Sequence, residues 1–263
     1  MAAIITLTSD FGPASPYVAQ MKGVILSICR EATLIDLSHG VRPQNIREGA
    51  VILADAAPRF PSGTLHVAVV DPGVGTARRL VYVEIGAQRY LAPDNGLLSL
   101  LSSQERPKQI RALENSQYWL VKQSATFQGR DILAPAAAHL ANGLDPNQLG
   151  PPRDELVTLD WPQPRKVARG LAGEVLYVDS FGNIISNITR EQLAALGSPA
   201  SLSIEVAGRK LRGLVVSYGA AMTGECVALL DSQGRLEIAV VEGNAARDLS
   251  VKSGEPVLVA TRR

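Results

Sequence analysis

Cysteine is nearly missing from this chain: Cys29 and Cys226 are its only two in 263 residues. They are too few and too far apart for a disulfide framework or a metal cluster, so both are expected as small buried hydrophobes. An excess of either charge is missing too. Lys and Arg number 26 against 25 Asp and Glu, a formal net charge of +1, with no basic block or stripe of the kind that signals nucleic acid or an anionic membrane. No run of about 18 apolar residues suggests a membrane span. The opening MAAIITLTSDFG has neither basic leader nor cleavage signal, and a cytoplasmic location is expected. The three histidines (His39, His66 and His139) show no metal-ligand spacing and are expected to be structural, so no metal is expected. There is no GxGxxG after the first strand, no Walker A sequence and no GxSxG elbow, and neither cysteine has a plausible base nearby. Pyrophosphate cradles and familiar serine or cysteine nucleophiles are thereby disfavoured. The letters DFG at 10–12 lack the other kinase loops and carry no kinase meaning. A nucleoside without phosphates remains open as a ligand.

What is present is ample core material: 46% of residues are hydrophobic, enough for one large domain or two ordinary ones. The first half alternates short apolar runs with helical patterns, which predicts parallel strands joined by crossover helices. IITLT (4–8) is a first strand. Ser15-Pro16 offers an N-cap and first-turn proline to a helix carrying Val18, Met21, Ile25 and Ile28 on one face. Asn45 with Glu48 resembles a capping box for a helix that stops at Pro58. TLHVAVVDPGVG (64–75) predicts a strand buried on both faces with Asp71 at its carboxyl end, the edge where open α/β sheets bind ligands. VYVEI (81–85) is another strand, followed by a turn at 93–96. TFQGRDILAPAAAHLA (126–141) reads as a β-favouring Thr-Phe before an Ala-rich helix. From about Pro151 a proline-rich stretch without periodicity predicts a linker. Beyond it, strand-like segments broken by turns predict an all-β, barrel-like domain. The expected division is 1–164 and 165–263.

Several residues could carry chemistry, each with a plainer reading. Asp10, after the first strand, could accept hydrogen bonds from a ribose diol or simply make a turn. Arg78 could fold back on Asp71 as a hydrogen-bonded pair beside a glycine-rich turn, or the segment could be a bare Pro-Gly turn. Asp94-Asn95-Gly96 leans further toward a turn. Gln128, Arg130 and Asp131 stand at a helix entrance where a ligand could sit. In the second half, Asp179, Phe181 and Asn183 put a carboxylate, a ring and a carboxamide at a strand bend. A Phe face can stack on a base while Asn183 reads its edge, although such a Phe is more often core. The loop holding Asn244 and Ala245 could complete that recognition through its backbone amides or be only a turn.

Taken together, SDFG (9–12), VVDPGVGTARR (69–79), APDNGLLS (92–99), TFQGRDILAPAAAHLA (126–141), VDSFGNIISNI (178–188) and LEIAVVEGNAA (236–246) resemble the S-adenosyl-L-methionine (SAM) hydroxide adenosyltransferases, relatives of fluorinase and chlorinase. They span nearly the whole chain in family order. The resemblance implies an N-terminal α/β sandwich with a mostly parallel sheet, a C-terminal β-barrel, and a homotrimer whose sites lie between one subunit's first domain and its neighbour's second. It implies SAM as substrate, adenosine and L-methionine as products, and no cofactor. Asp10 would hold the ribose hydroxyls. Asp179, Phe181 and Asn183 would lie around the methionine and adenine portions, with Asn244 and Ala245 near the base edge. Of the family's catalytic Asp, Arg and His, Asp71 and Arg78 match the first two. The third position holds Gln128, which can orient a water but cannot take up a proton near neutral pH. Two other readings follow from that departure: a non-catalytic adenosine or SAM binder, and a halide adenosyltransferase.

Overall fold

The run Ile-Ile-Thr-Leu-Thr makes the first strand, β1 (Ile4–Ser9), of a computed structural model that describes residues 2–261. Both its faces are covered, since Ile5, Thr6, Leu7 and Thr8 are all 1% exposed or less. Helix α1 (Pro16–Ile28) starts as predicted, with Pro16 in the first turn and the Ser15 hydroxyl accepting the Tyr17 N–H at 3.3 Å, and it buries Met21 and Ile25. After β2 (Thr33–Ser38) comes α2 (Ile46–Ala56), ending in a 3-10 turn that contains Pro58. Only half of its predicted capping box forms. Asn45 accepts the Glu48 N–H at 3.1 Å, but the Glu48 carboxylate turns to Arg42 at 2.6 Å and to the Asn45 side-chain amide at 3.1 Å.

Four more strands and a short helix complete the first sheet: β3 (Leu65–Val69), β4 (Leu80–Ile85), β5 (Gln88–Pro93), α3 (Ser99–Gln104) and β6 (Gln109–Ala112). Their order is β2-β1-β3-β5-β4-β6. β1 is parallel to β2 and β3, and β3 to β5, whereas β4 runs antiparallel to both its neighbours. The sheet is therefore mixed, with the parallel part at its centre and one end. α1 and α4 (Ala134–Ala141) cover one face over Ile5, Leu7, Leu65 and Val67. Thr126 and Phe127 form no strand; they lie in a turn, and the helix behind them begins with a π-helical turn over Gly129–Leu133.

The described residues divide into two compact units between Asp160 and Trp161, inside the proline-rich stretch and slightly before the expected boundary. The second unit holds β7 (Arg165–Val167), β8 (Gly170–Val178), β9 (Ile184–Thr189), α5 (Arg190–Ala194), β10 (Leu202–Val206), β11 (Arg209–Arg212), β12 (Cys226–Leu230), β13 (Arg235–Val240), α6 (Ala245–Leu249) and β14 (Pro256–Thr261). All its pairings are antiparallel, in the order β11-β10-β14-β8-β9-β13-β12, with β7 on β8. Just past β11, the Val215 N–H donates to Ala228 of β12 at 2.9 Å, so the two ends of that order approach and the sheet is a nearly closed barrel. Ile184, Ile204, Leu236, Ile238 and Val257 fill it. Cys29 is buried as expected, but Cys226, at the first position of β12, is only half-buried. Among the described residues no helix is long and apolar enough to cross a membrane.

Candidate active site

β3 is a central parallel strand, and just past its end the chain turns through Asp71-Pro72-Gly73. The Val74 N–H donates to the Asp71 carbonyl at 3.3 Å and the Thr76 hydroxyl to the Gly73 carbonyl at 2.7 Å. Gly75 has φ +81°, and a Cβ there would sit 3.1 Å from the Ala125 carbonyl oxygen, so the close approach of these loops needs glycine. The return leg places Arg78 against Asp71. Arg78 Nε donates to both carboxylate oxygens at 2.7 and 2.8 Å, and Nη2 also donates to Oδ2. The same Nη2 donates to Gln128 Oε1 at 2.6 Å. The side chains of Arg78 and Asp71 are only 9% and 7% exposed. Asp71, Arg78 and the sequence-distant Gln128 thus form one hydrogen-bonded row: carboxylate, guanidinium, carboxamide.

The π-helical turn sets Gln128 in that row. Asp131, fully buried, accepts the Ser124 N–H at 2.6 Å and is gripped by Arg130 at 2.6 and 3.0 Å. Arg130 also reaches Gln20 at 2.9 Å and lies 4.8 Å over the Phe127 ring. Arg130 and Asp131 therefore brace the loop around Phe127, whereas Gln128 alone of the three joins the polar row. Phe127 packs edge-to-face with Phe11 and Tyr17, at centroid distances of 5.7 and 5.1 Å. The Asp94 turn is structural. Buried Asp94 accepts the Val157 N–H at 2.7 Å, and Asn95 donates to the Val70 carbonyl at 2.9 Å, supporting the strand end just before Asp71.

Asp10 follows β1, the strand paired directly with β3, at the same edge, and its Oδ2 accepts the Gln44 N–H at 2.7 Å. Below it lies a group the sequence reading did not anticipate. Ser9 Oγ is 2.8 Å from His39 Nδ1, His39 Nε2 is 3.0 Å from Asp36, and Lys22 bonds the other Asp36 oxygen at 2.7 Å. Burial pushes Asp36 upward, but the hydrogen bonds from Lys22 and His39 outweigh it and hold the carboxyl below its ordinary range. The trio has serine-hydrolase letters without its function. Ser9 is 2% exposed and its Oγ already accepts the Phe11 N–H, so the group stiffens the loop carrying Asp10. His39 adds a backbone tie, accepting the Gly12 N–H at 2.9 Å. Among the described residues no group of three or more His, Cys, Asp or Glu could hold a metal ion.

In the second unit, Asp179 organises the bend after β8. Its Oδ1 accepts the N–H groups of Phe181 and Asn183 at 2.9 and 2.8 Å, and its Oδ2 accepts the Asn183 amide at 3.0 Å. Phe181 is not core: held on this tight loop, the residue is 74% exposed. Asn244 caps α6 by accepting the Arg247 N–H at 2.8 Å, and the Ala246 N–H donates to Gly182 at 2.9 Å, tying the two loops together. Ala245 itself is fully buried. Phe181, Asn183, Tyr218, Gly219, Val240 and Glu242 line an open cleft of about 470 Å3. Tyr218 carried no signal in the sequence, since its place depends on its hydroxyl donating to buried Glu237 at 2.6 Å. Burial pushes that carboxyl up, against the lowering effect of the tyrosine hydrogen bond.

Residues 5–150 match the SAM hydroxide adenosyltransferase N-terminal domain and residues 173–258 its C-terminal domain. A protein of Thermus thermophilus named (R)-S-adenosyl-L-methionine hydrolase is 40% identical, over 95% of this chain and 96% of its own. A fluorinase from an Actinoplanes species is 31% identical, over 97% of each chain. A solved structure of an uncharacterized conserved protein from Thermotoga maritima superposes with a TM-score of 0.91 at 35% identity, covering 98% of this chain and 99% of that one. The chain belongs to the SAM hydroxide adenosyltransferase family.

Proposed function

We propose that the protein hydrolyses SAM to adenosine and L-methionine by in-line attack of a water-derived oxygen at the ribose C5′. The observation that carries this reading is the buried Asp71–Arg78–Gln128 row at the carboxyl edge of the first sheet. A sulfonium leaves as a neutral thioether, so no acid is needed for the leaving group. When hydroxide meets a sulfonium, opposite charges merge in the transition state, and a dry pocket favours that state over the separated, hydrated ions. Arg78 supplies the donor that steadies the oxygen and favours its deprotonated form, and Asp71 fixes the guanidinium in a bidentate grip. A charge pair at about 4 Å is worth about 4 kcal/mol at an effective dielectric near 20 and about 1 in bulk water, so burial is what gives Arg78 its leverage. Because Gln128 spends its Oε1 on Arg78, it presents its amide N–H groups to the nucleophile and stays uncharged at every working pH.

The binding roles extend this proposal. Asp10, already oriented by the Gln44 N–H, holds the ribose hydroxyls. Phe181 offers an exposed face for the adenine, Asn183 keeps its Oδ1 for the base edge, and Asp179 serves the methionine portion, with Asn244 and the Ala245 backbone alongside. The active form is a homotrimer in the cytoplasm, each site drawing on two chains; an apolar ring as exposed as Phe181 supports a second layer of protein or ligand above it. Incubation of the purified protein with SAM, followed by chromatography for adenosine and methionine, tests the function. Tight adenosine binding without turnover over hours would instead favour a binder. The appearance of 5′-halo-adenosine with fluoride or chloride would favour a halide enzyme; the retained Asp71–Arg78 pair supports oxygen.

A further inference from the structure

The polar groups at the carboxyl edge of the first sheet follow the order of its strands. Asp10 follows β1, Asp71 follows β3, Arg78 and Arg79 precede β4, and Leu113 and Glu114 follow β6. On the β6 side of Arg78, away from Asp10, lies a cleft of about 230 Å3 whose lining includes Arg78, Gln128, Leu80, Leu113, Trp119 and Glu114. Its inner end is formed by Arg78 and Gln128. Its outer end is marked by Glu114, which is exposed, and by Arg79, whose side chain is 44% exposed and drawn toward Asp94 at 3.5 Å. Between them the walls are apolar, with Leu80 and Leu113 both buried.

We propose that this cleft is a separate entrance for the nucleophile, a short column of water reaching Arg78 and Gln128 from the side opposite the nucleoside. The proposal rests on the reading of those two residues as holders of the attacking oxygen. The cleft is roomy enough for several water molecules. In-line displacement needs the oxygen to arrive opposite the sulfur, so a rear supply lets the pocket stay dry around the sulfonium without starving the reaction. The stoichiometry needs the same passage. The water oxygen forms a bond to C5′, the C5′–S bond breaks with its electron pair passing to sulfur, and one proton of the water is released. Gln128 cannot keep that proton, and the column carries it to solvent past Glu114.

Two variants test this. Glu114→Trp places a bulky ring at the mouth on an exposed position, and Leu113→Phe narrows the bore. At saturating SAM each is expected to lower kcat by about fivefold or more while leaving KM for SAM within about twofold, because only the nucleophile's path is narrowed. If Leu113→Phe does not fold, Glu114→Trp decides alone, with its thermal midpoint checked against the parent. A folded variant whose kcat falls by less than about fivefold, or whose KM rises in step with any loss, overturns the separate entrance. Full turnover in Arg78→Ala would instead remove the underlying reading of the site, whatever the cleft variants do.

Discussion

Arg78 makes every bond of the polar row, three to a carboxylate and one to a carboxamide, so its removal should separate binding from chemistry. Arg78→Ala is expected to lose about 10²-fold or more in kcat, the usual cost of deleting a charge-stabilising donor, with adenosine affinity little changed. Steady-state kinetics beside calorimetric titration of adenosine checks both halves. Gln128→His tests the carboxamide's place in the polar row. An imidazole there can accept the water's proton, and general-base assistance typically contributes about 10²- to 10⁴-fold. The variant should turn over faster near neutral pH, with a rate that rises as the imidazole loses its proton through pH about 6.5. The parent should be nearly flat across the same span, and a variant slower than the parent would show the amide to be the better fit. The seven-residue separation of Asp71 and Arg78 around a glycine turn made their pairing legible in sequence, because the turn itself brings them together. Ser9, His39 and Asp36 were not legible as a group, since they meet only when β1 and β2 lie side by side.

At the scale of elements, the loops rather than the strands hold the site, and their tolerances are small. Gly182 has φ +87°, and a Cβ added there would fall about 2 Å from the side chain of Asn244. Gly182→Ala should therefore cost about 1–3 kcal/mol in denaturant unfolding, from backbone strain and the forced separation of two loops. It should also raise KM for SAM through displacement of Phe181 and Asn183. Helix α1 and its Ser15 cap, the strand running into Asp71, and the barrel strands of the second half were readable from periodicity and caps, whereas the short helices α5 and α6 within that half were not. The π-helical turn was not, because its extra residue is accommodated by contacts to Ser124, Gln20 and Phe127 that no local pattern encodes. The antiparallel course of β4 between β5 and β6 was equally hidden, as β6 is only four residues long and takes its place from its partner strand. Phe181 was easily misread, since a ring flanked by Ser and Gly looks the same whether it turns inward or outward.

For the molecule as a whole, the first unit carries a titratable group in its core. Burial depresses His66 to about 4 despite the Gln88 amide, while its Nδ1 lies 2.7 Å from the Thr6 hydroxyl. The unfolded chain takes up a proton near pH 6.5 that the folded one refuses until about 4. Stability from this group is thus fully present above 6.5 and falls across that window, by up to about 3 kcal/mol. Thermal midpoints measured from pH 7 to 4 should fall, and His66→Gln should flatten the slope. If each active site draws on two chains, mixing inactive Arg78→Ala with inactive Phe181→Ala protein should restore part of the activity, because mixed assemblies contain intact pairs; additivity of two dead samples would show each chain working alone. The exposed Phe181 ring then has an operational meaning. A single subunit at high dilution would hold a shelf for the base with nothing facing it, so specific activity should sag as enzyme is thinned and recover when nucleoside is supplied, the small molecule serving as mortar for the subunits it needs.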